Sequence, residues 1–387
     1  MAHIQHLIED RDITLGEIRE IVTRASVGDL PDATEKLDGV NIVFTCTPKY
    51  ETRFARSESD MKSGGMIRAV LEAKFTGRGL VQETFVQGSN AIAAGIRHLA
   101  PLQVRTVFDD GKLWYSAEIV YIKNPNVVQY ASNSIVFHER PVLRVNGTEI
   151  IRESKAPFGA LNASVLDMDL MAQQSGWRVY GPQRACMKQL EDLSTLQRVY
   201  DVLATMGPIH LTLQDHLRAH ARMELVRLGV SGATLDDAIE RLVDASGCPS
   251  LTVLKPKLPT QAVAMLRDSG GWASKRLATL DLAISRFASA VLRDLTSELV
   301  TDNAVEAQRI DERLARSMKL VADSKIPEAI DVLNKHLPKV ERITTPVEGI
   351  VFPWGDKIYK LTGAFAPANA IMGLCKYGRG RAIPPLG

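Results

Sequence analysis

The chain has 387 residues, and its 47 Lys and Arg residues against 45 Asp and Glu give a formal net charge of +2. This length accommodates two modest domains, and the hydrophobic fraction of 45% is that of ordinary globular proteins. The charge balance excludes a histone-like polycation but leaves room for a local basic groove. The aromatic fraction of 6% argues against a broad platform for stacking many bases.

The sequence carries no signal for export or membrane insertion. No run of residues approaches the roughly 20 apolar residues of a membrane span. The N-terminus lacks the basic and apolar regions of a secretory signal. The four cysteines lie far apart without a C-x-x-C pair, which favours free thiols in a reducing compartment. We therefore expect a cytoplasmic protein without a membrane partner.

The first half of the chain alternates between helical and strand-like patterns. The predicted order is helices within 3–27, strands at 40–47 and 51–57, and helices at 66–75 and 80–99. Two antiparallel hairpins follow, one pairing 104–108 with 113–122 and one turning at Asn146-Gly147.

The second half is dominated by helical periodicity. Residues 182–340 carry nearly equal numbers of basic and acidic side chains, so they do not form a basic arm. Their longest periodic segment, 272–300, has an apolar stripe that we expect in the core. Strand character returns at 347–363, and 365–387 form a basic, Gly/Pro-rich tail.

This order of elements indicates an α+β protein. An antiparallel-sheet domain made of 31–181 and 341–364 is interrupted by a large all-α insertion at 182–340. N-terminal helices in 1–30 precede this domain, and the tail 365–387 follows it.

The first candidate for chemistry is Lys36, in the run Lys36-Leu37-Asp38-Gly39-Val40-Asn41 on a turn that leads into a strand. A lysine nucleophile needs a lowered pKa, which burial or a neighbouring cation supplies. Gly39 allows the backbone to approach a bound ligand closely. The alternative is an ordinary lysine on a surface turn.

Two glutamates lie in predicted strands. Alternation places Glu118 on one face with Trp114 and Ser116. Glu348 begins the run Glu-Gly-Ile-Val and is followed at short range by Lys357 and Lys360. A glutamate among apolar neighbours either closes a structural ion pair, which is the commoner case, or lines a site. The two lysines have the alternative of a solvated hairpin.

The order of these motifs resembles the covalent nucleotidyltransferase superfamily of DNA ligases, RNA ligases and mRNA capping enzymes. A lysine in K-x-D-G, a strand glutamate, E-G-I-V and a strand lysine correspond to its motifs I, III, IV and V. Asn41 and Arg56, twenty residues after Lys36, are more similar to RNA ligases. The stretch 116–139 also resembles ligase-like proteins of large tailed phages. The resemblance implies an antiparallel-sheet nucleotidyltransferase (ATP-grasp-like ligase) domain.

The resemblance also implies roles for individual residues. Lys36 attacks the α-phosphorus of ATP and holds AMP as a phosphoramidate, while Lys360, and Lys357 as a further candidate, neutralises the α-phosphate. The other implied nucleotide contacts are Glu35, Asn41, Arg56 on the nucleotide or an incoming 5′-phosphate, Glu118 on the ribose, Phe137 stacked on the purine, and Glu348. Mg²⁺ (or Mn²⁺) is implied beside Glu118 and Glu348. Positioning and charge neutralisation are what phosphoryl transfer requires.

The last motif departs from the family's usual K-x-K. Lys357 and Lys360 are three residues apart, so a straight strand points them to opposite faces, and we favour Lys360 at the phosphate. The 27 residues after Lys360 are too few for the oligonucleotide-binding barrel of DNA ligases. We therefore expect nucleic-acid contacts from the helical block, the N-terminal helices or the tail.

Other clusters favour structural interpretations. His216, His220 and Glu224 share one helix face and could bind zinc, but without a further ligand a solvated face is the better interpretation. In the tail, Lys376, Arg379 and Arg381 could touch a phosphate backbone or simply be solvated.

These observations together predict an ATP-dependent polynucleotide ligase that joins 5′-phosphate and 3′-hydroxyl ends of RNA, DNA or a hybrid through a lysyl-AMP intermediate. It would act in the cytoplasm, or in the host cytoplasm if the chain is phage-encoded. Two alternatives stay open. The first is an adenylyltransferase with an acceptor other than nucleic acid, and the second is a non-catalytic, ligase-like phage scaffold.

Overall fold

The described residues fold into two β-sheets with helices packed against both, which makes this an α+β protein. A computed structural model describes residues 4–124, 130–154, 156–244, 249–293, 295, 299 and 347–363. The strands are β1 (Gln5–His6), β2 (Thr34–Lys36), β3 (Val40–Cys46), β4 (Thr52–Ala55), β5 (Leu113–Val120), β6 (Asn133–Phe137), β7 (Leu143–Asn146), β8 (Glu149–Arg152), β9 (Trp177–Tyr180), β10 (Gly349–Trp354) and β11 (Lys357–Thr362). The helices are α1 (Leu15–Ser26), α2 (Glu58–Lys62), α3 (Arg68–Lys74), α4 (Leu80–His98), α5 (Pro101–Phe108), α6 (Ala156–Ala163), α7 (Val165–Gln173), α8 (Ser194–Met206), α9 (Leu213–Arg227), α10 (Ala233–Val243), α11 (Leu251–Leu254), α12 (Thr260–Arg267) and α13 (Ser269–Arg293).

The smaller sheet joins segments from opposite ends of the described chain. Its strand order is β1-β11-β10-β2. β10 and β11 form an antiparallel hairpin, which turns at Gly355 with a positive φ of 59°. β1 lies parallel to β11, and β2 lies antiparallel to β10 with Lys36 opposite Gly349. This sheet therefore brings the first lysine motif beside the strand that follows Glu348.

The larger sheet has the order β4-β3-β5-β6-β9, and the hairpin β7–β8 is attached to β5. Its pairings are antiparallel except for the parallel pair β6–β9. Helices α3 to α7 cover one face and share an apolar core with it, including Phe44, Phe85, Ile92 and Phe137. The opposite face of β3, β5 and β6 is left to line a cavity.

The helical block packs on the smaller sheet. Buried residues of α1, α8, α9 and α13, such as Ile18, Leu217 and Phe287, share one core with Phe352 and Leu361 of the hairpin β10–β11. The helices therefore cover this sheet and do not form a core of their own. The domain boundaries at 30/31, 181/182 and 340/341 stay predictions. The core described here contains elements from both sides of each boundary.

The prediction of a hairpin between 104–108 and 113–122 is wrong in its first strand. Residues 104–108 belong to α5, which starts at Pro101 in the first helical turn. Val104, Val107 and Phe108 are buried at helical spacing, so the apolar run covers the core as a helical stripe. The N-terminal prediction also changes, because Gln5–His6 form a strand and the next three residues a 3₁₀ turn before α1.

Most of the remaining predicted elements are confirmed. The hairpin at Asn146-Gly147 is present, and so is the hairpin of β10 and β11. The long helix α13 buries the predicted apolar stripe except for Leu282, which is half-exposed. The end of the helical block and the tail 365–387, with Lys376, Arg379 and Arg381, lie outside the described residues. Among the described helices, none has the length and apolarity needed to cross a membrane.

Gly349 tests the packing of the small sheet. A Cβ built there would lie 2.4 Å from the carbonyl oxygen of Leu361 and 2.9 Å from a methyl carbon of Thr362. We expect Gly349→Ala to lower the free energy of unfolding by about 1–3 kcal/mol, because the added methyl group overpacks the β10–β11 pair. Gly270→Ala in α13 is the matched control, since a Cβ there meets nothing within 4 Å. Urea titrations would compare both variants, and equal stabilities would contradict this expectation.

Candidate functional site

A cavity of about 440 Å³ lies between the two sheets. We call it the inter-sheet cavity. The smaller sheet contributes residues of β2, β10 and β11, and the larger sheet contributes residues of β3, β5 and β6. Its apolar walls include Leu37, Val136, Pro141, Val351 and Ile358. Its polar and charged walls include Asp32, Glu35, Lys36, Asn41, Ser116, Glu118, His138, Glu139, Arg140, Gln183 and Lys360.

Lys36 is held by an ion pair at the end of β2. Its Nζ lies 2.6 Å from Oε2 of Glu348, the residue just before β10. The Glu348 side chain is only 14% exposed. Burial raises the pKa of Glu348, although the positive charge of Lys36 opposes this shift. The pair therefore keeps a lysine amine at the cavity wall beside a carboxyl group that burial pushes toward its neutral form.

The turn after Lys36 is pressed against the larger sheet. A Cβ at Gly39 would lie 2.6 Å from the carbonyl oxygen of Ile119 and 2.8 Å from Cγ of Glu118. The backbone N–H of Asp38 donates a hydrogen bond of 2.9 Å to the buried hydroxyl of Tyr130. The glycine expected to let a ligand approach thus allows the turn to approach β5, which fixes Lys36 relative to Glu118.

Glu118 faces the inter-sheet cavity from the centre of the larger sheet. Strand alternation predicts it on the same face as Ser116, and this is confirmed, because both line the cavity while Ala117 and Ile119 lie in the core on the other face. Oε2 of Glu118 lies 3.3 Å from Nε2 of His138. The charge of Glu118 also contributes to raising the pKa of Glu348, after burial as the larger cause. The two predicted carboxylates, Glu118 and Glu348, therefore lie close enough to influence each other electrostatically.

Lys360 and Lys357 diverge, as their spacing predicts. Lys360 lines the cavity and is half-buried. Burial lowers the pKa of Lys360 and the charge of Lys36 lowers it further, against the opposing charge of Glu9. Lys357 instead donates a hydrogen bond of 2.7 Å to Asp10 and is not part of the cavity wall. The expectation that Lys357 also contacts the nucleotide does not fit this position.

Arg56 does not form part of the cavity wall. Its guanidinium group donates to the backbone carbonyl of Asn41 and lies 5.0 Å from the ring centre of Phe85. Burial lowers the pKa of Arg56, and the charges of Glu118 and Asp60 oppose this shift. Arg56 is thus engaged by the backbone of β3 and by Phe85 of α4. This position corrects the expectation that it contacts the nucleotide or an incoming phosphate directly.

Phe137 borders the cavity, but its ring belongs to the core. The ring is fully buried and lies 5.5 Å from the ring of Phe44, centre to centre. Val136, which pairs with Glu118 across the strands, is the β6 residue on the cavity face. The expectation that Phe137 stacks on a purine is therefore corrected, and aliphatic side chains provide the apolar surface.

Asn41 and Glu35 also line the cavity. Nδ2 of Asn41 donates to the hydroxyl of Ser116 at 2.9 Å, while its Oδ1 is buried without a hydrogen-bond partner in the described residues. An acceptor in this state is costly unless a ligand satisfies it. Glu35 is buried, and its backbone N–H donates to the carbonyl of Gln183 at 2.8 Å.

The site offers few side chains that could act as metal ligands. The described part of the chain contains no group of three or more His, Cys, Asp or Glu side chains that could hold an ion. The zinc candidates are used structurally. The ring of His216 bonds to the carbonyl of Met206, and Glu224 accepts from Trp272 and Arg276. Glu118 and Glu348 remain as two neighbouring carboxylates, which suffice for Mg²⁺ when phosphate oxygens and waters complete its shell.

The sequence alone missed His138, Tyr130 and Gln183 as parts of the site. His138 follows Val136 by two residues, so alternation would have placed it on the same face. No local pattern marks Tyr130 or Gln183, because their partners lie far away in the sequence.

No family model, curated protein or solved structure matches the chain. The site is therefore interpreted from its geometry and its motifs.

Asp10 tests the structural role of Lys357. Burial raises the pKa of Asp10, but hydrogen bonds from Lys357 and Tyr359 outweigh this effect and hold the pKa below its ordinary value. The stabilisation is therefore present above about pH 4 and is lost as the pH falls through the folded-state pKa. We expect Asp10→Asn to lower the free energy of unfolding by about 1–3 kcal/mol at neutral pH, with a smaller loss near pH 3.

Urea titrations of the wild type and Asp10→Asn at both pH values would measure this difference. Asp356→Asn is the control, because this carboxylate lies exposed in the turn between β10 and β11. A loss for Asp10→Asn that does not depend on pH would contradict an ionised Asp10.

Proposed function

We propose that this chain is an ATP-dependent polynucleotide ligase with a covalent nucleotidyltransferase domain, which acts through a lysyl-AMP intermediate at Lys36. One observation carries the proposal. The inter-sheet cavity has a lysine from K-x-D-G, the strand residue Glu118 and the strand residue Lys360 in its walls, and Lys36 is paired with the glutamate of E-G-I-V. Four motifs that are dispersed in the sequence thus converge around a space of ligand size.

Lys36 is the proposed nucleophile. Its Nζ attacks the α-phosphorus of ATP, a P–N bond forms, and the bond to pyrophosphate breaks. The amine must first lose its proton, because an ammonium group has no lone pair. Glu348 lies 2.6 Å away and has a raised pKa, owing to burial. It is therefore placed to hold the amine at the cavity wall, and the proton of the amine passes to water.

Lys360 supplies positive charge to the α-phosphate. It is half-buried, so its charge is less screened than that of a surface lysine. Its lowered pKa, caused mainly by burial, shows that the folded protein disfavours an isolated ammonium at this position. A phosphate anion bound beside Lys360 stabilises the ammonium form, and the ammonium group in turn stabilises the phosphate.

The remaining walls suit a nucleoside. Leu37, Val136 and Val351 offer apolar surface to a base, while Glu118 offers acceptor oxygens to ribose hydroxyl groups. The volume of about 440 Å³ lies within the range of small-molecule sites. Glu35 lines the same cavity and fixes the edge of β2 through its backbone bond to Gln183.

Glu118 and Glu348 would hold Mg²⁺ (or Mn²⁺) together with phosphate oxygens. Each has one carboxylate oxygen engaged, by His138 and by Lys36 respectively, and its second oxygen has no hydrogen-bond or ion-pair partner among the described residues. The ion supplies charge neutralisation for the triphosphate. His138 would orient Glu118 for this contact.

The proposed acceptor is a nucleic acid that carries a 5′-phosphate. An oxygen of this phosphate attacks the α-phosphorus of lysyl-AMP and releases Lys36, which gives an adenylylated 5′ end. A 3′-hydroxyl then attacks the 5′-phosphate and expels AMP. Choice between RNA, DNA and a hybrid depends on groove shape and 2′-hydroxyl contacts.

The first test is the covalent adduct. We expect the purified protein to gain one AMP with ATP and Mg²⁺, and to lose it in acid as a phosphoramidate does. Lys36→Arg should form none, because a guanidinium group keeps the ion pair to Glu348 but does not act as the nucleophile. Intact-protein mass spectrometry measures the adduct. An adduct in Lys36→Arg would place the nucleophile elsewhere, and no adduct in any preparation would favour the scaffold.

The two lysines of β11 separate a catalytic role from a structural one. We expect Lys360→Ala to slow adduct formation by about 10²- to 10³-fold, as for other lost charge-stabilising groups. Lys357→Ala should leave the rate within about two-fold, because its contact with Asp10 lies outside the cavity wall. Quench-flow rates of adduct formation would distinguish them, and equal losses would contradict this assignment.

Ligation itself tests the acceptor. With nicked duplexes of RNA, DNA or mixed strands, we expect joined product only when both a 5′-phosphate and a 3′-hydroxyl are present. Gel separation of labelled strands measures the product. An enzyme that forms lysyl-AMP but transfers it to no oligonucleotide would support the alternative of another acceptor class.

A further inference from the structure

A second cavity adjoins the inter-sheet cavity and has no role in the first chemical step. We call it the β9 cavity. It has a volume of about 570 Å³ and lies among the C-terminal end of β9, helix α6 and residues 181–184. Glu139, Pro182 and Gln183 belong to the walls of both cavities. The two cavities therefore adjoin along these three residues.

The two cavities differ in chemistry. Aliphatic side chains form much of the inter-sheet cavity, which suits a base. The β9 cavity has Asn162, Tyr180, Gln183 and Arg184 in its walls, and these can bond to hydroxyl and phosphate oxygens. The β9 cavity therefore suits a second, more polar ligand better than it suits an extension of the nucleotide in the inter-sheet cavity.

Arg184 is the cation at the junction. Its guanidinium group lies 3.3 Å from Asp32, just before the smaller sheet's β2, and 3.3 Å from Glu139, just after the larger sheet's β6. The Arg184 side chain is 47% exposed. Ion pairs at such exposure are weak and exchange readily. A phosphate monoester can replace the two carboxylates and form the bidentate contact that a guanidinium group favours.

The acceptor phosphate needs a cation that Arg56 does not offer. Arg56 is bonded to the backbone of Asn41, packs on Phe85 and is absent from the walls of both cavities. Arg184 lies instead in the wall of the β9 cavity, and its partners Asp32 and Glu139 line the inter-sheet cavity. A phosphate bound there lies next to the residues that the two cavities share.

We propose that the β9 cavity is the acceptor subsite and that Arg184 binds a terminal phosphate monoester there. This inference rests on the proposed lysyl-AMP chemistry. An oxygen of the bound phosphate attacks the α-phosphorus of lysyl-AMP and forms a new P–O–P linkage. The P–N bond breaks, its electron pair stays on Nζ of Lys36, and this nitrogen takes a proton from water. The phosphate monoester belongs to either a polynucleotide 5′ end or a small phosphorylated molecule.

The experiment isolates lysyl-AMP protein and mixes it with an acceptor. Rapid quenching then follows the loss of AMP from the protein over a range of acceptor concentrations. The acceptors are a 5′-phosphorylated oligonucleotide, the same oligonucleotide with a 5′-hydroxyl, and a nucleoside 5′-monophosphate. The variants are Arg184→Ala, Arg184→Lys and Glu139→Gln. Arg222→Ala is the control, since Arg222 is a paired surface arginine on α9, away from both cavities.

We expect Arg184→Ala to raise the acceptor KM at least ten-fold and Arg184→Lys to raise it less. Lysyl-AMP formation from ATP should stay within two-fold in both, which also shows that they fold. Glu139→Gln should lower the acceptor KM several-fold, because it removes a carboxylate that competes for Arg184. Arg222→Ala should match the wild type.

The outcomes separate this inference from the function on which it rests. Discharge by the 5′-phosphorylated oligonucleotide alone identifies a polynucleotide end, and equal discharge by the monophosphate identifies a small acceptor. An Arg184→Ala protein with a wild-type acceptor KM would overturn the role of Arg184, and discharge that needs no phosphate monoester would overturn the acceptor class. Absence of lysyl-AMP in the wild type would overturn the proposed function itself.

Discussion

The pairing of β2 with β10 is the constraint on which the site depends. These strands are far apart in the sequence, yet their ladder sets Lys36 opposite Gly349 and therefore beside Glu348. β11 continues the same sheet and places Lys360 opposite Val351. Because side chains alternate along a strand, a slip of one residue would exchange the faces of the paired side chains. The close packing of Gly349 against Leu361 is part of what holds these strands together.

The K-x-D-G-x-N run has a geometric meaning in this fold. Its lysine ends a strand of the smaller sheet, and its asparagine lies in the first strand of the larger sheet. Only 37–39 connect them, and Gly39 brings this connection against β5. The two sheets are thus joined beside Lys36, with the hydroxyl of Tyr130 bonded to the backbone of Asp38. A short, packed connection keeps Lys36 and Glu118 at opposite walls of one cavity.

Local periodicity predicted the parts of the site that depend on a single strand. It placed Glu118 away from the core and separated Lys357 from Lys360, because alternation needs no knowledge of the rest of the fold. It failed for 104–108, where three apolar residues fit a strand or a helix and the packing of α5 decides. The family resemblance misplaced Phe137, since the face that β6 turns to the cavity is set by its pairing with β5. Arg56 was misplaced because its partner is a backbone carbonyl, which carries no sequence signal.

Charge balance explains why the proposed chemistry needs a divalent ion. Lys36 and Lys360 offset Glu118 and Glu348, so these four groups together carry no net charge before a nucleotide enters. A triphosphate adds several negative charges to a space with apolar walls, where an uncompensated charge is costly. Lys36 cannot compensate them, because it must become neutral to attack, and Lys360 alone is insufficient. A divalent ion held by Glu118 and Glu348 together with phosphate oxygens would restore the balance. The need for a divalent ion is then a consequence of placing a triphosphate in this cavity.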